Sequence, residues 1–521
     1  MAASFPMPCP RALPSLIVVV ALAATGLSVP RTAASPQETA RDAAAPLRGD
    51  SVLLAGGLRA DVAVLRRAYE TLHPGLYRYN TRAEMDEAFR ALEAEFQRDR
   101  MLADTYLAFS VYAAKLRCGH SYANFHNQSK DVQDALFRAG RVPFHFRWLG
   151  HRMVVTRSFA SDPRIRAGTE VLSINGVPVD AVLRRLMTVA RADGGNDAKR
   201  RSDLEVQGAN RWEAFDIFFS LFFPSPAPRM ALRVLTAPGE RVTVLEVDPL
   251  TYEQRLATMG TTGDPSGGEG APAWDLRFLD ARTACLRMPN WALYDSKWDW
   301  KAFLEQSFDR VVGQKARDLV IDLRENEGGL GVGDDLLSHL IASDLPAEPV
   351  TRRVRYRKVP DDLVPYLDTW DRSFLDWGPS AIEPSGGFFR LTKYDNDVRG
   401  SVVRPRAPRF TGRVWVLVGA ANSSATFEFA QAVQRNRLGT LVGQPTGGNQ
   451  RGINGGAFFF LRLPRSGLEL DLPLIGQFPD GERPDAGLEP DVLVVPTVSD
   501  IAGGRDAEMD AVRARIAAAG G

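Results

Sequence analysis

The sequence predicts a multidomain α/β protein, and three observations lead there. A chain of 521 residues exceeds what one hydrophobic core organises. Apolar residues recur at helical spacing up to about residue 135, then give way to short strands between 136 and 252. Beyond 273, aliphatic strands alternate with helical stretches, the pattern of a sheet buried between helices.

The first elements are helical. Val62, Leu65, Tyr69 and Leu72 share one helix face, and Thr81-x-x-Glu84 forms a capping box ahead of Met85, Phe89, Leu92 and Phe96. A third helix runs from about Ala103 to Leu116, so residues 51–135 are expected as a helical domain. In the strand-rich part, 136–252, the run Val171–Ile174 enters an Asn175-Gly176 turn. A hairpin pairs Ala231–Thr236 with Val242–Val247 around Pro238-Gly239. A helical, polar insertion separates the two, and its Lys199-Arg200-Arg201 run reads as a solvated loop. Residues 253–272, rich in Gly and Pro, read as a linker.

From 273 to 500 the strands are expected at Ala284–Met288, Leu319–Leu323, Val414–Val418 and Thr440–Val442, with a C-terminal helix or tail at 501–521. Ligand sites in such folds sit beyond the strands' carboxyl ends. Two loops there stand out: Arg324–Gly329 and Ala420–Ala425. Ser424 falls where a strand turns into a helix, beside free N–H groups and the positive end of the helix dipole. That setting suits a nucleophile and an oxyanion. It equally suits an N-cap, for which serine is a preferred residue. The G-x-S-x-G elbow is absent, and Gly329–Gly333 does not fit G-x-G-x-x-G.

Four motifs resemble those of the tail-specific (C-terminal processing) proteases and the tricorn protease core, and they occur in family order. Asp322-Leu323-Arg324-x-Asn326-x-Gly328-Gly329 is similar to the D-L-R-x-N-x-G-G turn, and Ser424-Ala425-Thr426 with Ala430 to the nucleophile segment. Leu441–Gly448 resembles the V-G-E-P-T-x-G loop, and Gly487–Val492 the closing G-x-x-P-D-V. Upstream, Ile165–Pro178 resembles the family's PDZ-like domain. The resemblance implies a crotonase-like (ClpP-like) catalytic domain and peptide-bond hydrolysis without metal or other cofactor. It makes Ser424 the nucleophile and gives the oxyanion hole to Ala425 with Gly328 or Gly329. It also implies substrate contacts at Gly447 and Gly448, and a peptide strand added beside Ile174 and Asn175 in the PDZ-like domain.

One departure redirects the mechanism. Tail-specific proteases place a catalytic lysine 25 residues after the serine, and that position is Asn449 here. The last lysine in the chain is Lys393, and Arg451 stays protonated. The tricorn branch uses a histidine base with a carboxylate behind it, so a histidine is expected here. Among six histidines His120, in Cys118-Gly119-His120-Ser121, resembles the family's G-H-[ST] motif and is the candidate. Asp485 or Glu482 is the expected carboxylate. A ligand-binding module without catalysis, or an esterase using the same serine, would share this fold.

The N-terminus bounds location. Arg11 precedes the 14-residue uncharged run Leu16–Val29, with small residues at 32–34, so residues 1–34 read as a secretory signal and 35–50 as a disordered spacer. That run is short for a membrane span, although an uncleaved anchor is the alternative. The mature protein is therefore expected outside the cytoplasm, periplasmic or extracellular, with no stable membrane span. Net charge +1, from 64 basic and 63 acidic side chains, argues against nucleic acid as a partner. Expected partners are polypeptide substrates, and a homo-oligomer is admitted. Cys118 and Cys285 make no disulfide framework, and neither C-x-x-C nor H-E-x-x-H supports a zinc site.

Overall fold

Helices and strands form where the apolar pattern places them, with ends shifted by a residue or two. The computed structural model describes residues 47–519, apart from 138–139, 209–210, 238, 260–273, 295, 349 and 394–401. The expected signal at 1–34, most of the spacer, Pro238 and most of the linker lie outside the described residues.

The protein is a mixed α/β assembly of several units. Helices Ala55–Leu72, Arg82–Glu95 and Leu102–Lys115 bury the stripes named above. Both hydrogen bonds of the Thr81–Glu84 capping box are made. The middle unit is an antiparallel sheet, from Phe144–Leu149 through Glu170–Ile174 to Thr243–Val247. Asn175 and Gly176 both have positive φ (49° and 80°), as a tight two-residue turn requires. The expected linker begins later than its composition suggests, because residues Tyr252–Met259 are helical. Arg255, nearly inaccessible, anchors that helix through Glu213 (3.1 Å) and Asp216 (2.6 Å).

The segment from residue 274 onward is built on a six-stranded sheet. Thr440–Gly443, Arg413–Val418, Asp318–Asp322 and Thr283–Arg287 lie side by side and parallel, with Asp275–Phe278 antiparallel at one edge. The helix Ser424–Arg435 packs on it. Arg324, in the D-L-R motif, reaches Asp506 (2.7 Å) at the start of the C-terminal helix Ala507–Ala518 and so ties it to the sheet.

A second sheet was not foreseen. Its centre is the long hairpin Asn454–Arg462 with Glu469–Pro479, joined by Val350–Val354 and three shorter strands. Its apolar face is continuous with the core of the N-terminal helices. The seam is polar as well as apolar: Tyr69 Oη donates to the Asp471 carbonyl (2.8 Å), and Asn124 and Asn127 donate to its carboxylate (2.7 and 3.0 Å). The N-terminal helices thus lean on residues some 400 positions later, which brings residue 120 toward the segment from residue 274 onward.

Candidate active site

Ser424 opens the helix Ser424–Arg435, which follows the parallel strand Arg413–Val418 and its loop. Its φ is +50°, a conformation that costs a non-glycine residue of order 1–3 kcal/mol and persists where surrounding structure imposes it. Neighbouring Ser423 donates its hydroxyl to the Glu327 carbonyl (2.9 Å). Among the described residues no group hydrogen-bonds the Ser424 hydroxyl. Ser424 instead lines a cavity of about 1010 Å³, together with Asn449, Phe427 and Glu428. Glu428 stands one helical turn farther on.

The glycine turn sits against this serine. A Cβ on Gly328 would lie 3.0 Å from Ser424 Cβ and 3.1 Å from the Ala425 nitrogen, so only glycine fits. Two buried asparagines hold the arrangement. Asn326 Oδ1 accepts from the Gly328 N–H (2.8 Å) and the Thr426 hydroxyl (2.9 Å). Asn422 donates to the Asn326 carbonyl (2.9 Å). The Gly328 N–H is therefore engaged. Among the described residues the Gly329 N–H meets no acceptor, and Ala425 N–H is a first-turn amide without an intrahelical partner.

His120 reaches the same end of the molecule on the loop after Leu102–Lys115. Its flanking peptide is clamped by residues 191–203, the polar insertion of the middle unit. Gly119 N–H donates to Asp193 Oδ1 (3.0 Å), and Arg191 donates to the Gly119 carbonyl (2.7 Å). The ring packs near Phe458 (5.9 Å between centroids), and its Nδ1 is enclosed without a partner. Burial lowers its pKa below the usual histidine value. Asp193 opposes this, Arg191 and Lys199 reinforce it, and Glu327 opposes it weakly. No hydrogen bond joins His120 to Ser424 in this arrangement. His73 is committed elsewhere, to Ser121 (2.8 Å) and the Gly75 N–H (3.0 Å), and His339 stacks on Phe308.

The other expected positions have the following surroundings. Asp485 Oδ1 accepts from Asn449 Nδ2 (2.7 Å) and Gly195 N–H (2.9 Å), and no hydrogen bond joins it to His120. Glu482 is exposed on the loop beyond Pro479. Among the carboxylates, Asp193 raises the His120 pKa most, and Glu327 raises it less. A peptide has no free edge beside Ile174, because that residue pairs with Val177 on one side and Leu232 on the other. The Asn175 side chain accepts from the Ala231 N–H (3.0 Å). Gly447 and Gly448 are buried by packing, since a Cβ would strike the Ala420 carbonyl (2.1 Å) or the Phe427 ring (2.3 Å). The Lys199–Arg201 run is not a solvated loop, for Lys199 and Arg200 are 5% and 8% exposed.

Sequence reading missed the whole 191–203 strap. Its Asn196 caps the helix Asp197–Asp203 and donates to the carbonyls of Thr446 (2.9 Å) and Gly448 (2.8 Å). One signal was present. Only eight of the chain's 64 basic residues are lysines, and one of them falls at 199 beside two arginines.

Residues 282–494 match the model of peptidase family S41. Comparison with curated proteins returns no match. Among solved structures, mature CPAF complexed with lactacystin is 16% identical, with 86% of this chain and 95% of that chain covered and a TM-score of 0.57. A serine-to-alanine mutant of CPAF is also 16% identical, covering 86% and 94%, at a TM-score of 0.58. The photosystem II D1 C-terminal processing protease is 15% identical, covering 84% and 93%, at 0.38. At these identities the CPAF likeness is one of fold. The family match falls on the segment that holds Ser424, the glycine turn and the two asparagines. Over residues 282–494 the chain is similar to peptidase family S41, which supports its reading as a serine peptidase.

Proposed function

We propose that this peptidase cleaves polypeptides outside the cytoplasm, with Ser424 as nucleophile and His120 as general base. One observation carries the reading: a serine held at φ +50° presents an unengaged hydroxyl to a large cavity, beside two amides without acceptors. Ser424 Oγ attacks the scissile carbonyl carbon while its proton passes to the His120 imidazole. The carbonyl oxygen takes the negative charge and accepts from the N–H groups of Ala425 and Gly329. Collapse breaks the C–N bond, and His120 returns the proton to the departing amine. Water then attacks the acyl-enzyme with the same base, releasing the acid and restoring Ser424.

His120 closes onto Ser424 when substrate fills the cavity, as catalytic hydrogen bonds commonly tighten on binding. Export rests on the N-terminal apolar run. Among the described residues no helix is long and apolar enough to cross a membrane. The parallel sheet with its glycine turn supports a crotonase-like reading of the catalytic segment. The antiparallel middle sheet supports a PDZ-like reading, as a scaffold rather than a peptide-capturing edge at Ile174. Fluorophosphonate labelling of the mature protein beside Ser424→Ala tests the nucleophile without a known substrate. Labelling that persists in the variant refutes it, and a binding module would show none in either.

A further inference from the structure

Lys199 is a buried cation that the proposed mechanism does not use. It lies on the helix Asp197–Asp203, whose cap Asn196 is bonded to the 446–448 loop. Its stem runs so close to Gly447 that a Cβ there would meet Lys199 Cδ at 2.8 Å. Its Nζ pairs with Asp203 Oδ1 (2.7 Å) and Glu327 Oε1 (2.9 Å). The Lys199 and Asp203 side chains are 7% and 11% exposed, while Glu327 is 52% exposed.

Glu327 immediately precedes the two glycines of the oxyanion turn. Gly328 and Gly329 have φ of 110° and 137° and no side chain with which to fix themselves. The turn is held from the serine side by Asn326 and by the Ser423 hydroxyl on the Glu327 carbonyl. Lys199 holds it from the opposite side, and it does so from a different unit of the chain. We propose that Lys199 is a positioning residue, which through Glu327 sets the Gly329 N–H opposite Ser424 and links catalysis to the docking of the middle unit. This inference rests on the reading of Ser424 and the glycine turn given above.

A role as substitute base does not fit. Burial works against the Lys199 charge, but Asp203 and Glu327 outweigh it and raise its pKa, so the amine stays protonated and accepts no proton. The ion pair acts by geometry. A displacement near 1 Å in such a frame costs about 10²-fold in rate, and loss of an oxyanion donor about 10²–10³-fold.

The test measures the second-order rate of fluorophosphonate labelling at Ser424 in the full mature chain, with thermal unfolding recorded beside it. Lys199→Met should slow labelling about 10- to 100-fold. Lys199→Arg, which keeps the charge, should recover part of that loss. Glu327→Gln should slow labelling to a similar degree, and the double variant Lys199→Met/Glu327→Gln should be no slower than either single one. The midpoint of the acid limb should stay within the histidine range in every variant. Glu327→Gln keeps the test decisive if Lys199→Met fails to fold, since Glu327 is half open. A lowered melting temperature with wild-type labelling would reduce Lys199 to a structural strut and overturn the proposal. Additive losses in the double variant, or loss of the acid limb in Lys199→Met, would overturn it too. Equal labelling of wild type and Ser424→Ala would show instead that the nucleophile reading has failed, and the inference would fall with it.

Discussion

The serine half of the site and the histidine half are assembled by different means. Ser424, Ala425 and the glycine turn are held by contacts within residues 288–429, mostly backbone groups and two buried asparagines. His120 is held from three distant places: Arg191 and Asp193 on the strap, and Phe458 on the second sheet. The strap is itself fastened to Asn449 and Asp485. The serine half is therefore preorganised chiefly by local geometry, with the Lys199–Glu327 pair as its long-range brace, whereas the histidine half depends throughout on how three units dock. The missing Ser424–His120 hydrogen bond falls on the seam between the two halves.

The largest expected effect breaks the serine half. Ser424→Ala should lower turnover by roughly 10⁴–10⁶, the range for removing a nucleophile from a serine peptidase. Ser423→Ala should keep most activity, because that hydroxyl only donates to the Glu327 carbonyl. Peptide turnover and fluorophosphonate labelling of both variants check the pair. Equal losses would mean that the two serines are not distinguished as their hydrogen bonds imply.

The next breaks the histidine half. His120→Ala should lower kcat by roughly 10²–10⁴ while circular dichroism shows retained folding. A base must be neutral, so activity rises with pH through its pKa. Burial lowers the His120 pKa, which places the wild-type acid limb below the ordinary histidine value of about 6.5. That limb should vanish in the variant. A folded His120→Ala protein with the same limb would remove His120 from the mechanism.

The same comparison explains what was legible. Strands of the parallel sheet and the glycine and serine motifs announce themselves, because a buried strand needs an aliphatic run and a positive-φ turn needs glycine. Both constraints act within a few residues. The partners of Asp485 and of the Lys199–Arg201 run are not legible in the sequence, because their contacts span long separations in the chain. Gly195 meets Asp485 290 positions later, and Lys199 meets Glu327 128 positions later. A basic run carries no local sign of whether a distant acid will bury it. The second sheet was missed for a related reason, since its strands are interleaved with the catalytic segment and close only against the N-terminal helices.

A finer test replaces the charge that acts on His120 without removing its hydrogen bond. In Asp193→Asn the amide oxygen still accepts from the Gly119 N–H, so the loop keeps its anchor. Asp193 raises the His120 pKa against burial, Arg191 and Lys199, with Glu327 on its own side. Removing its charge should move the acid limb to still lower pH. It should slow turnover at neutral pH about tenfold, equivalent to roughly 1.4 kcal/mol of lost orientation. A limb that moved upward would show that Asp193 does not act on the ring as a carboxylate.

The smallest expected effect belongs to Asp485→Asn, and it sharpens the comparison from the other side. If Asp485 were the carboxylate behind the base, its neutral analogue would cripple turnover about as badly as the aspartate-to-asparagine change in a serine protease triad, roughly 10⁴-fold. In the structure Asp485 instead accepts from Asn449 Nδ2 and Gly195 N–H, both through Oδ1. An asparagine can present its carbonyl oxygen to both donors, so the strap stays fastened. No hydrogen bond joins Asp485 to His120 in this arrangement. The acid limb should therefore hold its position, and turnover should fall by far less than the roughly 10²-fold that marks loss of a catalytic acid–base group. A shift of the limb in Asp485→Asn, with Asp193→Asn leaving it in place, would reverse the assignment and return Asp485 to the catalytic array.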